Sequence, residues 1–80
     1  MTIRFELRGE SIVLHALLKA AGLAPSGGAA KSTIDSGAVR VDGVVETRRA
    51  RQLRAGQRVR VGDAEVVLLP DPGGGAQVRT

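Results

Sequence analysis

The sequence predicts an α+β fold: a single small domain in the order β-α-α-β-β-β-β, with two packed helices against a small antiparallel sheet. Three observations carry the prediction. The chain has 80 residues, which sets the domain count at one. Its first half holds an alternating stretch followed by a leucine-rich stretch at helical spacing. Its second half repeats valine alternation, broken at Asp42-Gly43 and Gly62-Asp63.

The elements follow in order. "TIRFELR" places Ile3, Phe5 and Leu7 on one face and Arg4, Glu6 and Arg8 on the other, the pattern of a half-buried strand. Gly9 ends it. A helix is expected from about Val13 to Ala21, with Leu14, Leu17, Leu18 and Ala21 on its apolar side and Gly22 just past its end. Leu23 is expected to pack beneath that end. Ser26 is a good N-cap for a second helix, "GGAAKSTIDS", which Gly37 stops. Gly27 and Gly28 weaken this helix by propensity, so packing of Ala30 and Ile34 must hold it.

"VRVDGVV" (39–45) is a hairpin of the type I′ class, because Asp-Gly sits between β-branched residues. "TRRARQLRAGQ" (47–57) reads as a connector loop with Leu53 as its apolar anchor and a turn at Ala55-Gly56. "RVRV" (58–61) and "AEVVLL" (64–69) form a second hairpin, closed by Pro70. The domain spans 1–70. "DPGGGAQVRT" (71–80) has too little apolar content to order itself and is expected to be a flexible tail.

The net charge is +4, and its placement matters more than its size. Residues 38–60 hold seven arginines against Asp42 and Glu46, a net of +5. The rest of the chain holds five basic and six acidic groups, a net of −1. A localised basic surface attracts polyanions, nucleic acid first and an anionic membrane second. Arg48, Arg49, Arg51 and Arg54 crowd one connector with only Glu46 near in sequence. Their mutual repulsion gives a compact domain no stability, whereas an external polyanion relieves it and takes bidentate contacts.

Phe5 is the only aromatic residue, which excludes reading of single strands by base stacking on rings. Binding is then expected through phosphates and groove shape, on folded RNA or a duplex. Duplex DNA is disfavoured, because the second helix offers only Lys31, Ser32 and Thr33 for base reading.

Other chemistry finds little support. Cysteine is absent, so thiol catalysis and thiolate metal sites are excluded, and a reducing compartment fits. His15 is the only histidine and lacks partners for a catalytic set. Asp35 suits the last turn of a helix poorly, and the sequence assigns it no function. "GLAPSGGAAKS" is not a phosphate-binding P-loop, because Lys31 and Ser32 come three residues too late. What survives there is a helix N-terminus at Ser26, Gly27 and Gly28 that suits a phosphate oxygen. No cofactor, metal or enzymatic activity is expected. "MTIRFELRGE" is alternating and charged, unlike a signal peptide, and no apolar run approaches the ~20 residues of a membrane span. A cytoplasmic monomer without a membrane partner is the expectation.

Residues 12–62, "LLKAAGLAPSGGAAKSTIDSGAVRVDGVVETRRARQLRAGQRVRV" at their heart, resemble the S-four type RNA-binding domain, also called the αL motif. That family shows a Leu-rich helix ending in Gly, Ser at the start of a second helix, Gly-x-Val-x-Val-Asn-Gly, a basic stretch, and Gly-Asp/Gln-x-Val-x-Val. The leading strand and short length resemble its small stand-alone bacterial members. The resemblance implies non-catalytic binding of structured RNA, ribosomal or transfer RNA, with the ribosome as a candidate partner. By position it marks Ser26, Lys31, Arg40, Arg48, Arg49 and Arg51. Gly27, Gly28 and Arg54 join them from the residue reading above. Two positions depart from the family pattern: Gly27 stands where Arg is frequent, and Asp42 stands where the hairpin has Asn. The alternative is a protein-interaction module, its exposed strand edge docking a partner and its arginines meeting an acidic surface.

Overall fold

The computed structural model describes residues 1–73. The strands are β1 (Thr2–Glu6), β2 (Ile12–Val13), β3 (Val39–Val41), β4 (Val44–Val45), β5 (Gln52–Leu53), β6 (Arg58–Val61) and β7 (Ala64–Leu69). The helices are α1 (Leu14–Ala20) and α2 (Gly27–Asp35). Five strands form one sheet in the order β1-β7-β6-β3-β4, and β2 with β5 forms a second, two-stranded ladder.

The helices behave as their patterns predict. Leu14, Leu17 and Leu18 of α1 are buried, as are Ala30 and Ile34 of α2. Gly22 has φ +81° and closes α1: its N–H donates to Lys19 O, and Leu23 N–H donates to Leu18 O. That pair of bonds is a Schellman cap, and it turns Leu23 back under the helix onto the core. Ser26 Oγ accepts from Ala29 N at 3.1 Å and starts α2.

The two hairpins form as expected. Asp42 (φ +51°) and Gly43 (φ +85°) both sit in the left-handed region that a type I′ turn demands. Asp42 does more than turn the chain. Its Oδ1 accepts from Arg58 N and its Oδ2 from Gln57 Nε2, each at 3.0 Å. The hairpin is thereby fixed to the start of β6, and these two donors hold the Asp42 carboxyl below its usual range, the Gln57 amide contributing most.

The structure corrects the antiparallel expectation: the sheet is mixed. β1 pairs in parallel with β7, Ile3 opposite Val66 and Phe5 opposite Leu68. Apolar alternation fixes which face a strand buries but not which way its neighbour runs. The inward row Val41–Val59–Val66–Ile3 crosses four strands and meets the helices. Leu7, Leu14, Leu17, Leu18, Ile34, Val39, Leu53, Val59, Val66 and Leu68 form the heart of this core.

The connector also departs from expectation, since part of it is strand. β5 pairs antiparallel with β2, Ile12 opposite Leu53. Its cause lies at the start of α1. The N-cap position there is Val13, whose side chain offers no acceptor. The connector backbone supplies the acceptors instead: Leu14 N donates to Arg51 O at 2.9 Å and His15 N to Arg49 O at 3.1 Å. Helix N–H groups left without partners must be satisfied, so the connector is held in place as a cap. Leu53 follows it inward and is fully buried, as an anchor should be.

At the other end of the domain, Asp71 Oδ2 accepts from Gly9 N at 2.7 Å. The first residue of the expected tail thus touches the turn after β1. Residues 74–80 of that tail lie outside the described residues.

Candidate nucleic-acid interface

The helix pair and the capped connector carry most of the expected site residues. α2 exposes Gly28, Ser32 and Asp35 and turns Ala30 and Ile34 inward. At its N-terminus the Ser26 hydroxyl is already used by Ala29 N, and Ala30 N donates to Ser26 O. The N–H groups of Gly27 and Gly28 remain as the outward donors of the first turn. Neither glycine is required by packing. A Cβ on Gly27 would meet nothing within 4 Å, and one on Gly28 would meet only Ser26 Oγ at 3.9 Å. Lys31 lies one turn along from both and makes no ion pair among the described residues.

The connector arginines are not the free charges that the sequence pattern led us to expect. Arg48 forks onto Glu46, its Nε to Oε2 and its Nη2 to Oε1, both at 3.0 Å. Arg51 Nη1 reaches the same Oε1 at 2.8 Å, and Arg48 N donates to Oε2 at 3.0 Å. Glu46 is only 7% exposed. The Arg48 guanidinium, followed by that of Arg51, holds its carboxyl far below the ordinary glutamate range. Arg49 grips Asp35 at the last turn of α2, Nε to Oδ1 at 3.0 Å and Nη2 to Oδ2. That contact lowers the Asp35 carboxyl. Arg54 has only Glu10, at 3.9 Å with both side chains exposed, a contact of little energetic weight.

Four arginines therefore face Glu46, Asp35 and Glu10, leaving a local net charge of +1. Asp35 and Glu10 are distant in sequence, which is why the connector looked more strongly charged than it is. Asp35, without a role in the sequence reading, is the clamp of Arg49. The arginines are held but still presented: the Arg48 side chain is 74% exposed, and its Nη1 lies outside the Glu46 fork. A guanidinium gripped on one edge by a carboxylate keeps its other N–H groups for an outside acceptor.

The expected residues do not form one patch. Ser26, Gly27 and Gly28 lie at one end of α2, and Asp35 with Arg49 lies at the other, about 13 Å away along a nine-residue helix. Arg40 is separated altogether. Its neighbours Val39 and Val41 are buried toward the helices, so Arg40 faces the opposite side of the sheet. Arg58 and Arg60 share that side, and the sequence reading missed them as candidate site residues. Their signal was visible as valine–arginine alternation in two segments, but only the strand order makes the rows adjacent.

His15 is half-buried on α1, its backbone bound to Arg49 O. Among the described residues no group of three or more His, Asp or Glu is placed to hold a metal ion, and no helix is long and apolar enough to cross a membrane. A cavity of about 780 Å³ opens along Arg4–Arg8, Leu69, Asp71 and Pro72, away from the connector and α2.

Comparison with known proteins agrees with the fold. The model of the S4 domain family matches residues 5–69. Among solved structures, the chain is similar to YbcJ from E. coli, whose solution structure is reported to reveal an αL motif involved in RNA binding. The two are 39% identical, the match covers 82% of this chain and 85% of that one, and the TM-score is 0.66. Curated protein sequences gave no match.

Proposed function

The chain belongs to the S4 domain family, and from that premise we propose that it binds folded RNA, of the ribosomal or transfer class, through phosphate contacts and without catalysis. The interface is the helix side of the domain. The N–H groups of Gly27 and Gly28, with Lys31 beside them, take phosphate oxygens at one end of α2. Arg48, Arg49, Arg51 and Arg54 take them at the other. Ser26 contributes as the cap that orients the first turn.

The observation that carries this reading is the clamped connector. Glu46 fixes Arg48 and Arg51, and Asp35 fixes Arg49 to the end of α2, while Arg48 and Arg49 stay more than half exposed. Guanidinium groups ordered before binding lose less entropy when they meet a phosphate. YbcJ, similar over most of both chains, is described as carrying a motif involved in RNA binding, and that description supports extending the activity to this chain. The absence of Tyr and Trp supports folded RNA over stacked single strands.

A second reading has one observation of its own. β4 is an edge strand whose Val44 and Val45 are 69% and 44% exposed, a surface that suits a protein partner. Crosslinking in cells, followed by sequencing of the bound RNA and identification of bound proteins, separates the two. Enrichment of a structured RNA supports the proposal. Recovery of protein partners alone overturns it in favour of the docking module.

A further inference from the structure

The helix-facing side of the sheet is buried, and its opposite side is a basic surface that the interface above does not use. Strand register assembles it. Arg40 on β3 lies directly across from Arg60 on β6, and Arg58 on β6 lies in one row with Val67 and Arg4. All four arginines are exposed. The acids beside it are Glu65, opposite Arg60, Glu6 near its edge, and Asp42, whose carboxylate accepts from Arg58 N, so four positive charges meet three negative. The Glu65 carboxylate lies 3.8 Å from Arg58, not on Arg60. Arg40 and Arg60 have no carboxylate within 4 Å among the described residues, and Arg40 reaches only Gly43 O at 3.5 Å.

Like charges placed directly opposite on neighbouring strands weaken a sheet. Central strands usually avoid this arrangement, and here only Glu65, turned toward Arg58, offsets it in part. The connector arginines differ, because carboxylates already hold most of them. We propose that this outer face is a second phosphate-binding surface, centred on Arg40 and Arg60 and flanked by Arg58 and Arg4, which holds a second RNA segment. The sheet separates it from the α2 and connector side, so one domain bridges two helical segments of RNA. The proposal rests on the RNA-binding reading of the helix side and extends it.

The test uses the full chain and two 12-base-pair RNA duplexes, one carrying a donor dye and one an acceptor. A duplex this short spans one face only, so energy transfer between them reports bridging. Wild-type protein is expected to bind each duplex and to bring donor and acceptor together near equimolar protein. Arg40→Gln/Arg60→Gln is expected to keep single-duplex binding, to lose the transfer, and to flatten the slope of log affinity against log salt by about 1.4–1.8 for two lost contacts. Both substitutions lie on an exposed face, and a melting curve confirms the fold. Duplex binding without transfer, or transfer that survives in the double variant, overturns the proposal while leaving the helix-side reading intact. Loss of polyglutamate binding in the double variant, with no duplex bridging by wild type, assigns the face to an acidic protein and also overturns it. If wild type binds neither duplex, both readings fail together.

Discussion

Arg49 on the connector holds Asp35 at the end of α2 in a two-pronged ion pair, joining residues 14 apart in sequence. The contact ties the connector to the helix pair and places a carboxylate beside the proposed RNA face. Both side chains remain about half exposed, so the pair contributes little to folding. The clamp acts on binding instead, by holding the Arg49 fork in place before RNA arrives. Asp35→Asn removes a negative charge but frees that fork. The variant should melt close to wild type and bind folded RNA more weakly, as read from binding isotherms at fixed salt. Tighter binding in a folded variant shows that the carboxylate acts chiefly by repelling the polyanion.

Glu46 couples the same connector to stability. Its carboxyl is held far below the ordinary value of 4.5 by Arg48 and then Arg51. A carboxylate with a depressed folded-state value stabilises fully above its unfolded value, and that stability drains as pH falls toward the folded value. Melting temperature should therefore drop from about pH 5 downward, and Glu46→Gln should flatten that acid limb. Replacing Arg48, Arg49, Arg51 and Arg54 together with Gln should lower the melting temperature at pH 7, since Glu46 then loses both guanidiniums. Adding Glu46→Gln should recover part of the loss. A quadruple variant as stable as wild type contradicts the clamp.

Gly28 separates binding from folding at the other end of α2. A Cβ there meets only Ser26 Oγ, at ordinary contact distance. Glu at this position gains helix propensity and lies favourably near the N-terminal dipole. Gly28→Glu should melt at or above the wild-type temperature while RNA affinity falls roughly tenfold, the scale of one lost charge-assisted contact. Unchanged affinity removes this helix end from the interface.

Leu53 provides the opposite case. It is fully buried under the connector. Leu53→Ala should destabilise by about 2–4 kcal/mol, measured by urea unfolding. The molecules that stay folded should bind RNA with near-normal affinity, because no site residue has been removed.

Much of this was legible in the sequence because it is local. Helical spacing placed Leu14, Leu17 and Leu18 inward. Ser26 and Gly22 marked helix ends, Asp42-Gly43 marked a turn, and Leu53 stood alone as the connector's anchor. What the sequence hid depends on partners far along the chain. β1 runs parallel to β7 because the fold brings the first and last strands together. β5 exists because Val13 cannot cap α1 and the connector backbone does so. The arginines looked unpaired because Asp35 and Glu10 reach them from other elements, and because Glu46, although close in sequence, is buried beneath two of them. The outer arginine rows needed the strand order before Arg40 and Arg60 became neighbours.

The most direct measurement is affinity for a folded RNA, and for an unstructured strand of equal length, across a range of salt concentrations. With four to six phosphate contacts, log affinity for the folded RNA should fall against log salt with a slope of roughly −3 to −5, and the folded RNA should bind more tightly throughout. Binding that ignores salt, or that favours the unstructured strand, contradicts an interface made of clamped arginines and helix-end N–H groups.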